Sequence, residues 1–266
     1  MASTHRPSEI RKPTVTPPRA GAGLIVHPPG PQVTVGAKDR GGTCPALSPE
    51  LYAALVAAPA LPTVYPIGAD VLCGYAEALA AEQFPALEIL ARPLTDVLPT
   101  LREVFALPAR KMVYWGIGTL KNRADALAAA ELRPDFFVSP AFSRRVLEVA
   151  VDRGIPYIPG VYTFQDVQDV LDAFDEFGLS VQLLKLCPVY GLTAEYVRSL
   201  AACFPGIAFC PTGEINLENY EQWKRMPAIV APMGSRLIPR ELLERNDFTA
   251  VRQRLQELRK LALSKD

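Results

Sequence analysis

From Leu51 onward, short apolar runs alternate with segments of helical period, and this alternation restricts the chain to an α/β architecture built on parallel strands. The runs that read as strands are 62–65, 86–90, 112–115, 136–138, 157–158, 181–184, 207–209 and 229–231. Between them, Leu94, Val97, Leu98, Leu101, Val104 and Phe105 keep the i, i+3, i+4, i+7 stripe of an amphipathic helix. Val167, Val170, Leu171 and Phe174 do the same ahead of Gly178, where a helix C-terminus wants glycine. Further helices are predicted at 70–82, 121–130, 143–152, 193–203, 216–225 and 241–262. Eight alternations fit a (β/α)8 TIM barrel, with a short extra N-terminal helix at 48–57 closing its bottom. Ser48 would cap that helix and Pro49 would be its first residue. A doubly wound open sheet is the competing arrangement, but the turn after its first strand, Tyr65-Pro66-Ile67-Gly68-Ala69-Asp70, is not the Gly-rich turn that such a sheet carries.

Composition narrows the function classes. Lys plus Arg and Asp plus Glu number 28 each, so the basic excess of a dedicated nucleic-acid binder is missing. No apolar run is long enough to span a bilayer. Five cysteines without a Cys-x-x-Cys pair argue against a disulfide framework and a structural zinc site. His5 and His27 both fall in the first 45 residues, which makes a histidine triad or histidine metal site in the folded part improbable. That opening stretch holds eight prolines, six glycines and six Lys/Arg against two acids, and reads as a disordered tail preceding one domain over 46–266. Its shortage of acids suits a transit peptide, but its prolines spoil the amphipathic helix that one needs.

Polar residues collect where the strands run out: Glu88 and Arg92, Thr119, Ser139-Pro140, Pro159-Gly160, Lys185, Thr212-Gly213 and Gly234-Ser235. In a barrel these exits line one end, where catalytic groups sit. Lys185 lies in a β run of nearly all apolar neighbours, Val181-Gln-Leu-Leu-Lys-Leu-Cys-Pro188. Facing inward it would be desolvated, which disfavours the ammonium and favours a nucleophilic amine; a lysine snorkelling to water from a strand end is the plainer alternative. Glu88 and Arg92 are four residues apart, an even spacing that predicts one shared face, the interior. A carboxylate there can shuttle protons, and a guanidinium can clamp a substrate carboxylate. A salt bridge plugging the interior would use the same residues. Amine, acid–base carboxylate and clamp together are what Schiff-base chemistry on a 2-oxo acid requires.

The stretch from about 62 to 240 resembles the class I 2-keto-3-deoxy-6-phosphogluconate/4-hydroxy-2-oxoglutarate (KDPG/KHG) aldolases. Six motifs carry the resemblance in order: Glu88-Ile-Leu-Ala-Arg92, Gly116-Ile-Gly-Thr-Leu120, Phe136-Phe-Val-Ser-Pro140, Ile158-Pro-Gly-Val-Tyr-Thr163, the Lys185-Leu-Cys-Pro188 segment, and Cys210-Pro-Thr-Gly-Glu-Ile-Asn216. The resemblance implies that Lys185 forms the Schiff base and that Glu88 moves the protons. Arg92 and Thr119 would hold the carboxylate, Pro140 and Thr212 would line the pocket, and the backbone at Gly213, Gly234 and Ser235 would receive a phosphate. It further implies a cytoplasmic homotrimer that takes a 2-oxo acid, releases pyruvate, and needs neither metal nor cofactor.

The match departs from the family at the phosphate loops, where Thr-Gly-Gly-Ile becomes Thr212-Gly-Glu214-Ile215 and the second loop reads Met233-Gly-Ser-Arg236. A glutamate about 5 Å from a phosphate would cost roughly 3 kcal/mol per unit charge at an effective dielectric of about 20. Arg236 is placed to offset it, or Glu214 points to solvent with Asn216 capping the next helix. Two other functions fit the same pocket: a 2-oxo-acid binding or regulatory barrel without efficient turnover, and another phosphate-binding barrel enzyme such as an epimerase.

Overall fold

Helix α1 (Pro49–Ala57) sets the interior of the molecule before the first long strand begins. The Ser48 hydroxyl accepts a hydrogen bond from the Leu51 amide at 3.2 Å, and Pro49 occupies the first turn, where its missing N–H costs nothing. The computed structural model describes residues 44–264. The expected tail, with His5 and His27, lies almost wholly outside the described residues. At its inner edge β1 (Cys44–Pro45) pairs in parallel with β8 (Leu179–Ser180).

The remaining elements follow in the predicted alternation: β2 (Leu61–Val64), α2 (Ala69–Ala81), β3 (Ala86–Leu90), α3 (Leu94–Ala106), β4 (Tyr114–Gly118), α4 (Arg123–Ala130), β5 (Phe136–Val138) and α5 (Arg144–Arg153). Then come β6 (Tyr157–Ile158), β7 (Gly160–Val161), α6 (Phe164–Asp175), β8, β9 (Leu183–Leu186), α7 (Ala194–Cys203), β10 (Ala208–Pro211), α8 (Leu217–Lys224), β11 (Met233–Gly234), α9 (Arg240–Glu244) and α10 (Phe248–Leu263). All ladders are parallel, as crossover helices demand. One sheet runs β11-β2-β3-β4-β5-β6 and a second runs β10-β9-β7, giving an α/β half-barrel of parallel strands clothed in helices. Isolated parallel bridges join Phe209 to Ile229 and Thr212 to Met233.

Strand alternation sorts the core into two parts. Leu87, Ile89, Trp115, Ile117, Leu184 and Leu186 face the helices in the larger cluster. Their neighbours Ala86, Phe136, Val138, Leu183 and Cys210 face the other way, and pack with Leu47, Leu51 and Leu55 in a second cluster. The period of two therefore separates an outer layer from an interior floored by α1.

Several boundaries shift from the sequence reading. The run 181–184 shifts forward: β9 covers Leu183–Leu186, and 181–182 lie outside it, after the short β8 that pairs with the N-terminal strap. Pro159 has no amide to give to the ladder, and it separates β6 from β7. At 229–231 the chain makes one bridge through Ile229, and the regular strand forms later, at β11. The single helix expected over 241–262 breaks at Asn246 (φ +54°), and Asp247 recaps α10 through the Ala250 amide at 3.0 Å. Among the described residues no helix is long and apolar enough to cross a membrane.

The floor role of α1 predicts an order of effects. Leu55→Ala should lower unfolding stability by roughly 2–5 kcal/mol, and Ser48→Ala by about 1 kcal/mol, read from urea midpoints at constant slope. Equal, small losses would show that α1 does not seal the interior.

Candidate active site

Lys185 is the third residue of β9, in step with inward-facing Leu183, and only 5% of its surface is exposed. It pairs in register with Gly160 on one side and Cys210 on the other. Glu88, in step with Ala86 on β3, is fully buried. The two reach each other across the interior: Lys185 Nζ donates to Glu88 Oε1 at 3.1 Å and to Oε2 at 3.4 Å. Removing both charges from water costs several kcal/mol per ion, offset by their contact, and such a pair is weak evidence of stability by itself.

Glycine makes the space. A Cβ at Gly118 would stand 1.9 Å from Glu88 Oε1, so β4 admits the carboxylate only because residue 118 has no side chain. On the other side of β3, Thr63 is buried and is the ladder partner of Glu88. At Gly160 a Cβ would meet the Pro140 carbonyl oxygen at 2.1 Å, so the loop after β5 lies directly over β7 beside Lys185. That loop is tied down by the Ser139 hydroxyl, which donates to the Leu120 carbonyl at 2.6 Å. Thr119, half-buried with φ +69°, turns the chain at the end of β4.

Arg92 departs from the expectation of a shared interior face. The alternation that orients Glu88 ends with β3 at Leu90. Arg92 is exposed two residues later, its guanidinium over the Tyr65 ring at 5.1 Å and donating to the Tyr65 hydroxyl. The sequence reading missed Tyr65, whose position just after β2 was its only signal.

The loops after β10 and β11 come together. The Thr212 amide donates to Leu186 and its carbonyl accepts from Val189, both at 2.9 Å. Gly213 has φ +114°, and a Cβ there would press on the Val189 amide at 3.2 Å. A Cβ at Gly234 would come within 2.7 Å of the Ile215 carbonyl oxygen. Glu214 occupies left-handed backbone (φ +56°), and its carboxylate is ion-paired to Arg236. Asn216 caps α8, accepting from the Glu218 and Asn219 amides at 2.9 and 3.2 Å. Ser235, Arg236, Thr63 and Tyr65 help to line a cavity of about 360 Å³ above β2 and β11. Lys185 and Glu88 are not in its walls; Thr63 connects the two places.

The cysteines near the pair are poorly suited to act as nucleophiles. Burial pushes the Cys210 thiol up to about 12. It also raises Cys187, with the Lys185 charge opposing and Glu88 adding to the rise. Among the described residues no group of three His, Cys, Asp or Glu side chains gathers to hold a metal ion.

A family model for KDPG and KHG aldolase matches residues 52–254. The chain is 32% identical over 139 residues to 2-dehydro-3-deoxy-phosphogluconate aldolase of Treponema pallidum, a match covering 52% of this chain and 64% of that protein. Its similarity to the Dickeya dadantii enzyme of the same name is 28% over 202 residues, covering 74% of this chain and 89% of that one. Among solved structures, the 4-hydroxy-2-oxoglutarate/2-dehydro-3-deoxyphosphogluconate aldolase from TTHB1 superposes with a TM-score of 0.67 at 30% identity, covering 79% of this chain and 97% of that one. KDPG aldolase of Legionella pneumophila, solved with pyruvate captured as a covalent carbinolamine, shares the fold with a TM-score of 0.66 at 23% identity, covering 77% of this chain and 96% of that one. The matched span takes in β2 to β11 together with the buried pair, and the chain belongs to the KDPG and KHG aldolase family of carbon–carbon lyases.

Proposed function

We propose that this chain is a class I aldolase. It would cleave a 2-keto-3-deoxy sugar acid, or 4-hydroxy-2-oxoglutarate, to pyruvate and an aldehyde through a Schiff base on Lys185. The observation that carries the reading is the buried contact of Lys185 Nζ with both oxygens of Glu88. An amine nucleophile must first lose a proton, and Glu88 stands within direct transfer distance to take it. The neutral amine attacks the C2 carbonyl; Glu88 returns the proton to the departing hydroxyl, and water leaves to give a protonated imine. Glu88, again a carboxylate, removes the proton from the C4 hydroxyl. The C3–C4 bond breaks, its electron pair flows to the imine nitrogen, the aldehyde departs and an enamine remains. Protonation at C3 and hydrolysis of the imine release pyruvate and restore the amine.

Arg92 and Thr119 would hold the 2-oxo acid carboxylate. Arg92 suits this because, among the described residues, no carboxylate pairs with it; it rests on Tyr65. Pro140 lies beside the β7–β9 seam and would wall the imine, with Thr212 on the opposite flank. The reading also takes the two sheets as arcs of a single (β/α)8 barrel. The isolated bridges from β10 to Ile229 and from Thr212 to β11 support closure on one side, and the one-residue gap at Pro159 supports it on the other. Catalysis then belongs at the C-terminal strand ends, as in barrels generally.

Borohydride reduction in the presence of pyruvate should leave a mass increment on the peptide bearing Lys185. No increment, or one on Lys224, would overturn the assignment. Lys185→Met should abolish adduct and pyruvate release. It should also cost roughly 3–5 kcal/mol of stability, because it strands a buried carboxylate, and adding Glu88→Gln should recover much of that loss. Glu88→Gln alone should still trap pyruvate slowly while turnover falls by about 10²–10⁴-fold. Gly118→Ala should lower kcat by displacing the carboxylate while the borohydride adduct still forms; parent-like kcat would show that Glu88 tolerates the shift.

A further inference from the structure

Arg92 is held where its own strand cannot hold it. β3 ends at Leu90, and Arg92 is exposed two residues later, so no strand alternation directs its side chain. An unrestrained arginine samples many rotamers, and a ligand that binds it must pay for that freedom. Among the described residues, Tyr65 alone restrains the head. The guanidinium carbon stands over the Tyr65 ring, 5.1 Å from its centroid, and Nη2 donates to the Tyr65 hydroxyl.

Tyr65 reaches this position from β2. It follows Val64, the last residue of the strand, and precedes Pro66, whose ring steers the residue before it away from helical backbone. Extended backbone carries the parity of Thr63 one step further, and both side chains line the cavity above β2 and β11. Thr63 is the ladder partner of Glu88, and two residues of strand rise put Tyr65 about 6–7 Å above that level, towards the strand ends. The Arg92 head is thus brought back over the strand beside Glu88, although its backbone has left the sheet.

The kind of contact matters as much as its place. Arg236 and Arg240 line the same cavity as Tyr65, but each is paired with a carboxylate, Glu214 for the first and Glu244 for the second. Arg92 rests on a neutral ring, which fixes a cation without cancelling its charge. One N–H of the fork goes to the hydroxyl, and the others stay for a ligand.

We propose that Tyr65 is a positioning residue for the substrate carboxylate: it presents Arg92, oriented in advance and fully charged, to a 2-oxo acid bound at Lys185. The inference rests on the aldolase reading of Lys185 and on Arg92 as the carboxylate clamp. Tyr65 touches no reacting atom. Its loss weakens ground state and transition state alike, so KM rises while kcat holds.

The test follows solvent deuterium exchange into the pyruvate methyl group over a range of pyruvate concentrations, using the full chain. Tyr65→Leu should raise KM about tenfold, and Tyr65→Phe, which keeps the ring and loses the hydroxyl, about threefold, with kcat within about twofold in both. Arg92→Leu should raise KM at least as far, and adding Tyr65→Leu to it should change kcat/KM no further, because the ring then has nothing to hold. An unchanged KM in both Tyr65 variants overturns this inference alone, as does a fall in kcat at constant KM. So does a loss from Tyr65→Leu that is as large beside Arg92→Leu as in the parent, the result expected of a merely structural role. Should Tyr65→Leu fail to fold, Tyr65→Phe decides by the same readings. A parent-like KM in Arg92→Leu removes the clamp and this inference while the lysine chemistry stands. Absence of exchange in the parent overturns the aldolase reading and this inference with it.

Discussion

The contact between the Lys185 ammonium and the Glu88 carboxylate constrains the architecture around it, because neither group tolerates burial alone. Glu88 sits on β3 and Lys185 on β9, strands that are not neighbours in either sheet. The pair can meet only if the strands between them curve and if the inward positions near the contact are small or apolar. Gly116, Gly118 and Gly160 meet that requirement: Gly116 yields space to the Phe136 ring, Gly118 to Glu88, and Gly160 to the backbone at Pro140. Below this layer, α1 closes the interior with leucines, so the charged contact has an apolar floor on one side and the strand ends on the other.

What was legible in the sequence was set by periodicity. Helix stripes and strand runs exposed the order of elements, and the Ser48-Pro49 and Asn216 signatures marked true helix starts, because capping is local chemistry between residues a few positions apart. The sequence left Lys185 open between an inward amine and a side chain reaching for water, and the structure turns it inward, in step with Leu183. Arg92 was misread by the alternation rule, carried two residues past the end of β3, where alternation no longer orients a side chain. The separate short strand β8 ahead of β9 was hidden because its partner, the strap at Cys44–Pro45, lies more than a hundred residues away in the chain. The space at Gly118 was equally out of view. A glycine in a Gly-x-Gly run advertises a backbone need, but the atom it accommodates belongs to another strand.

The loops after β10 and β11 show how a shared fold is adapted at its rim. Backbone approach at Gly234 and Ile215 brings the two loops together, and side chains then decide the charge found there. Glu214 takes a left-handed conformation that costs a residue with a Cβ roughly 1–2 kcal/mol. Its pairing with Arg236, exposed as both are, returns at most about 1 kcal/mol. The ion pair therefore does not by itself repay the backbone cost at Glu214.

The fit of Glu88 against Gly118 links the histories of two positions. An acid shorter by one methylene at 88 would vacate the volume that forbids a β-carbon at 118, but it would also withdraw from the lysine. A methyl group at 118 becomes sterically admissible only after that retreat. Variation at either site is thus tied to the other, and relatives that carry a side chain at the second glycine should be found without an acid of this length at the position of Glu88.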